Sequence, residues 1–249
     1  MDRREGMKQI MLLLGVSATM PLQAFDFNKA IDAAGSLTKA ASITDADIKA
    51  YYSQLSKEYD SQNKVATSGN KYGKRLIHLT RGLNSYDGQR FNYKVYLTSE
   101  VNAFAMGDGT VRIYSGLMDL MTDDEVRYVI GHEMGHIKFG HSKKRMQAAL
   151  TTSALRDTLS AAGGKAAQLS DSELGGLFEK VVKAQHSQSN EREADDYALK
   201  FLKTKKYNPM AAVTALQKLD KLSGGRGGGW LSTHPAPKER ANRMLKQLS

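Results

Sequence analysis

The chain has no cysteine. That single absence excludes disulfides, thiolate zinc fingers, iron–sulfur clusters, cysteine nucleophiles and lipid attachment through a cysteine. Histidine is scarce as well, at six residues, so any metal site has to combine a few His with Asp and Glu. No apolar run approaches the roughly 20 residues that span a bilayer. There is no internal repeat, no clear domain boundary and no nucleic-acid-binding motif. What is present is an ordinary globular balance, 41% hydrophobic and 25% charged over 249 residues, enough for one sizeable core.

The N-terminus reads as an export signal. Arg3, Arg4 and Lys8 precede an apolar stretch at residues 10–20, and Leu22-Gln23-Ala24 offers a small-residue cleavage site. We therefore expect a signal peptide over 1–24 and one domain over 25–249, of which 25–43 is an extension. The formal charge of +10 falls to +9 without residues 1–24, which carry three cations and two anions. Such a balance favours anionic surfaces or acidic partners. The basic runs Lys143-Lys144-Arg145 and Lys203-Lys205-Lys206 are expected to be solvated helix ends.

Apolar spacing predicts mostly helix. Thr44 caps a helix on which Ile48, Tyr52, Leu55 and Tyr59 repeat, and a second helix covers 72–83, with His78 as an ordinary surface or packed residue. Strands are expected near 93–97, 102–106 and 110–114, the last two joined across Gly107-Asp108-Gly109. Thr122 and Glu125 form a capping box ahead of a long helix. Further helices are expected at 171–202, interrupted at Gly175-Gly176, at 209–222 and at the C-terminus. Residues 151–170 are small and polar, and 223–229 form a glycine-rich loop. The fold class is α+β, mostly helical with a small sheet.

Inside the long helix lies His132-Glu133-Met134-Gly135-His136. Residues four apart share a helix face, so both imidazoles can reach one ion. Glu133 can then face the activated water without ligating, as the general base of a zinc peptidase does. Catalytic zinc wants three protein ligands and an open position. His141, five residues past His136, is expected to point away. His186 and Glu191 are the candidates for third ligand. Glu191 is preferred, because Asp195 one turn on can accept the outer N–H of a ligand histidine. Glu193 is expected to point elsewhere.

These two segments resemble the HExxH…ExxAD pattern of metallopeptidase family forty-eight, and Gly116-Leu117-Met118, Asn102-Ala103-Phe104-Ala105 and Thr233-His234-Pro235 with Arg240 are similar to its patterns too. The resemblance runs from about Ile43 to the C-terminus. It implies a gluzincin-type zinc peptidase domain, with the small sheet beside the active-site helix and one zinc ion per chain. It implies that His234 sits near the metal, as a reversible ligand or a transition-state stabiliser, and that Arg240 supports the site. It also suggests that the strand carrying Asn102, Ala103 and Phe104 binds substrate. The chain lacks the family's membrane spans and its lipid-anchoring cysteine. The resulting expectation is a periplasmic zinc endopeptidase, not anchored through cysteine, that acts on unfolded or misfolded envelope proteins. An association with the outer membrane or its assembly machinery is expected with it. The competing readings are a chaperone-like binding protein with a silent metal site and a cell-wall peptide hydrolase.

Overall fold

The computed structural model describes residues 44–152, 169–222 and 229–249. The expected signal peptide, the 25–43 extension, most of the small polar 151–170 stretch and nearly all of the glycine-rich loop lie outside the described residues.

Helix α1 (Asp45–Gln62) starts where Thr44 and Asp47 cap one another reciprocally. Its Ile48, Tyr51, Tyr52 and Leu55 are buried, so this face packs on the core. Helix α2 (Lys71–Leu79) is capped by Asn70 and buries Leu76 and Leu79, while His78 is exposed. A hairpin that the sequence reading missed follows, β1 (Ser85–Tyr86) and β2 (Gln89–Arg90). Asp87 and Gly88 both adopt positive φ, the requirement that makes Asp-Gly a hairpin dipeptide.

The main sheet has three strands in the order β3 (Asn92–Tyr96), β5 (Thr110–Tyr114), β4 (Ala103–Ala105). β4 and β5 are the expected antiparallel hairpin, and β3 runs parallel to β5. The β3–β5 register sets Lys94 directly opposite Arg112, a repulsive pairing of like charges. Asp60 of α1 resolves it. Its carboxylate lies 2.6 Å from Lys94 Nζ and 2.8 Å from Arg112 Nε, and the Tyr96 hydroxyl donates to it at 2.9 Å. Helix α1 is thereby fastened to the sheet by an ion pair on a guanidinium only 2% exposed.

Helix α3 (Ser115–Leu120) leads to α4 (Asp123–Lys138), whose capping box between Thr122 and Glu125 is formed as expected. Helices α5 (His141–Thr152), α6 (Asp171–Val181), α7 (Gln188–Thr204), α8 (Ala211–Leu222), α9 (Trp230–Thr233) and α10 (Pro237–Lys246) complete the described chain. The expected break at Gly175-Gly176 is not there. Both glycines are helical and exposed within α6, held by buried Leu174, Leu177, Phe178 and Val181. The interruption falls at 182–187 instead, where the Ser187 hydroxyl accepts from the Asn190 N–H and starts α7 afresh. No helix among the described residues is long and apolar enough to cross a membrane.

α4 is the central helix, packed on α7, on α8 and on β4. Small residues let α4 and α7 approach closely. A Cβ built on Gly131 would meet Ala198 Cα at 3.2 Å, and one on Gly135 would meet Ala194 Cα at 3.0 Å. Glycines four apart on one helix thus face alanines four apart on the other. This contact is what sets the His132–His136 segment of α4 against the Glu191–Asp195 segment of α7.

Candidate metal centre

On α4, His132 and His136 are 0% and 1% exposed, and Glu191 of α7 is 1% exposed. Their ligating atoms, with one from His234, all lie within 4.8 Å of one another. The two Nε2 atoms are 3.0 Å apart, and Glu191 Oε1 is 3.3 Å from His136 Nε2. The structure brings Glu191, not His186, into the cluster: the His186 ring stacks flat on His136, at 3.7 Å between centroids.

The donor set fits a divalent metal. The His132 Nδ1–H donates to Asp195 at 3.0 Å, which leaves Nε2 as a bare lone pair aimed at three other donor atoms. Imidazole nitrogens and a carboxylate at this crowding are relieved by a cation between them, and His₂Glu is a set that zinc takes.

Asp195 is the expected partner of His132, and it is more elaborately held than sequence suggested. The Tyr128 hydroxyl donates to it at 2.7 Å, and Arg240 donates through Nε at 2.9 Å and Nη2 at 2.7 Å. Burial alone would raise the Asp195 carboxyl, but Arg240 and His132 hold it well below the usual carboxylate range. The same contest ends the same way for Glu191, where His234, Arg240 and His132 overcome burial. Arg240 contacts both carboxylates.

His234 is buried inside the cluster. Its Nδ1 lies 3.0 Å from Glu191 Oε1 and 3.2 Å from His132 Nε2, and its Nε2 lies 3.4 Å from Glu133 Oε1. Trp230 and His186 both stack on its ring, at 4.4 and 5.0 Å between centroids. The Trp230 indole N–H also donates to Glu133 Oε1 at 3.3 Å.

Five of the six histidines therefore converge, and two expectations need correction. His141 does not point away. The helix ends at Lys138, Gly140 turns the chain with φ of 68°, and His141 comes back to within 2.9 Å of His136 Nδ1. Helical spacing did not apply because the helix had already stopped. Glu193 does point away from the metal donors, as expected, and its half-exposed carboxylate accepts from His141 Nε2 at 2.8 Å. Arg145 is no solvated helix end: its guanidinium donates to the carbonyls of Val181 and Ala184 and meets the His186 ring, tying α5 to the α6–α7 link.

Tyr128, Trp230, His141 and Glu193 are the residues that sequence reasoning missed. Tyr128 was legible, four positions before His132 on the same face. So was Trp230, four before His234.

The model of Peptidase family M48 matches residues 71–248. The chain belongs to peptidase family M48. It is similar to the metalloprotease LoiP of Escherichia coli (strain K12), 43% identical over 247 residues that cover 98% of each chain. It is similar also to the metalloprotease YcaL of the same organism, 41% identical over 251 residues, covering 98% of this chain and 99% of that one. At greater distance stands the beta-barrel assembly-enhancing protease of E. coli (strain K12), 28% identical over 182 residues, 69% of this chain and 36% of that one. This M48 member is a zinc metalloendopeptidase, and zinc is its cofactor.

Proposed function

We propose that His132, His136 and Glu191 hold the zinc and that Glu133 is the general base of peptide-bond hydrolysis. The observation that carries this is the buried meeting of α4 and α7 at those three side chains. When bound, zinc supplies a Lewis acid that activates water and polarises the scissile carbonyl. Glu133 takes a proton from the attacking water and hands it to the departing amine. Trp230 fixes one Glu133 oxygen through its indole N–H, leaving the other to work. Asp195, itself held by Tyr128 and Arg240, keeps the His132 hydrogen on Nδ1.

His234 caps the site at rest. With its ring stacked on Trp230 and His186 and its nitrogens against Glu191 and Glu133, it fills the position beside the His132, His136 and Glu191 donor atoms. It swings out to admit substrate.

β4 is the substrate-pairing strand. It lies at the sheet edge beside α4, and among the described residues no strand pairs with its outer side. Asn102 and Met106 bond toward β5, which turns the Ala103 and Ala105 backbone groups outward. The Asn102 side chain accepts from the Ala103 N–H at 2.9 Å, and Ala103 is fully buried, so pairing with an extended peptide requires what covers the strand to move aside. The Ala103 and Phe104 side chains are buried, so recognition here reads backbone, as suits unfolded chains.

We further propose an exported enzyme that clears misfolded envelope proteins. The signal-like N-terminus supports export. The relative named for beta-barrel assembly supports a place near the outer membrane or its assembly machinery. The test is degradation of casein by the purified mature chain. A chelator should stop it, and Glu133→Gln should lower kcat by about 10²–10⁴-fold with zinc retained. Undiminished cleavage by Glu133→Gln would overturn the assignment.

A further inference from the structure

His136 is tied outward by a chain of two hydrogen bonds. Its Nδ1 lies 2.9 Å from His141 Nδ1, and His141 Nε2 lies 2.8 Å from Glu193 Oε2. We propose that His141 and Glu193 are positioning residues for the metal, locking His136 in the tautomer whose Nε2 lone pair faces zinc. This rests on the assignment of His132, His136 and Glu191 as ligands.

The direction of each hydrogen bond follows from chemistry. A carboxylate only accepts, so the hydrogen of His141 sits on Nε2. The Nδ1 of that buried ring, whose Nε2–H is taken up by Glu193, is then left to accept. The hydrogen of His136 must therefore sit on Nδ1, and its Nε2 is bare.

The alternative shows why this matters. His132 already donates its Nδ1–H to Asp195, so its Nε2 is an acceptor 3.0 Å from His136 Nε2. If His136 carried its hydrogen on Nε2, it would donate directly to His132. The two rings would satisfy each other and close the site to a cation. His141 and Glu193 remove that choice for His136, as Asp195 does for His132. Each ligand histidine thus has its own outer anchor, both anchored ultimately in α7 carboxylates two residues apart.

Glu193 is suited to a clean test. Its side chain is 56% exposed, and it borders a cavity of about 730 Å³ rather than the core. Zinc affinity of the full mature chain is measured by competition with a chelating indicator, alongside the unfolding midpoint of each metal-free form. His141→Phe keeps a ring but no acceptor, and should raise the zinc Kd by about 10–100-fold. His141→Asn places an amide oxygen where Nδ1 stood, and should recover most of that loss. Glu193→Leu should raise Kd severalfold with an unchanged midpoint. Nitrogen-15 shifts of metal-free His136 should report an Nδ1–H tautomer in the wild type and a mixture in His141→Phe.

Wild-type affinity in both Glu193→Leu and His141→Phe would overturn the proposal, as would equal losses in His141→Phe and His141→Asn. If His141→Phe does not fold, Glu193→Leu decides alone. A wild type that binds no zinc overturns the ligand assignment and this relay with it. Tight binding shared by every variant overturns the relay only.

Discussion

Gly135→Ala tests whether the closeness of α4 and α7 makes the metal site. The added methyl would stand 3.0 Å from Ala194 Cα, 3.2 Å from Ala194 O and 3.3 Å from Tyr197 Cβ. Carbon atoms prefer about 3.5–4.0 Å, so α7 has to retreat by roughly half an ångström. Overpacking of this kind costs about 1–3 kcal/mol. Replacing a helical glycine by alanine returns about 1 kcal/mol. The net loss of stability is therefore small, about 0–2 kcal/mol. The metal is far less tolerant, because ligand distances hold to about 0.2 Å. His136 follows Gly135 directly, and Glu191 lies one turn before Ala194, so the retreat pulls ligand from ligand. We expect zinc affinity to fall by about 10–100-fold, a loss of about 1.4–2.7 kcal/mol. The assay is indicator competition for zinc, with thermal unfolding of the metal-free protein beside it. Gly175→Ala is the control: its methyl would meet nothing within 4 Å, so zinc binding should not change. Wild-type zinc affinity in Gly135→Ala would refute the reasoning.

Two further perturbations follow from the same structure. Asp60→Asn leaves Lys94 and Arg112 facing each other without an anion, and Arg112 is buried, so unfolding free energy should drop by about 3 kcal/mol in a denaturant titration. Burial would raise the Asp60 carboxyl, but hydrogen bonds from Arg112 and Lys94 bring it below its ordinary value. Its stabilisation is then full above the unfolded carboxylate pKa near ~4 and is lost as pH falls through the lower folded value. Melting temperatures between pH 5 and 3 should therefore fall less steeply in Asp60→Asn than in the wild type. His234→Ala should raise basal casein cleavage if the ring caps the site, by about tenfold for a site open a tenth of the time. A deep fall in kcat would instead mark His234 as a transition-state stabiliser, and no change would leave it a structural turn.

Much of this was legible in the sequence, and the reasons for success and failure are physical. Local signals held: the Thr44 and Thr122 caps, the 107–109 turn, and the His132/His136 face each depend on residues within four positions of one another. The Glu191–Asp195 pair was readable because one helix turn puts both carboxylates on one face, and both are buried on α7. What failed depended on where elements stop. His141 was misplaced because its direction is set by the chain reversal at Gly140, and the partner it finds in Glu193 went unread with it. The run Lys143-Lys144-Arg145 looked solvated, yet Arg145 turns inward because carbonyls left open at the α6–α7 break need a donor. That break was itself misassigned to Gly175-Gly176, since exposed glycines in a helix with a buried apolar face cost only about 1 kcal/mol each. The Asp60–Arg112 clamp had no sequence signal, because its partners are 52 positions apart.

The most direct test of the account is zinc content per chain, measured by elemental analysis on the mature protein and on Glu191→Ala. The account predicts one zinc per wild-type chain and its loss in Glu191→Ala, with helix content unchanged by circular dichroism. A folded Glu191→Ala protein that retains a full complement of zinc would contradict it.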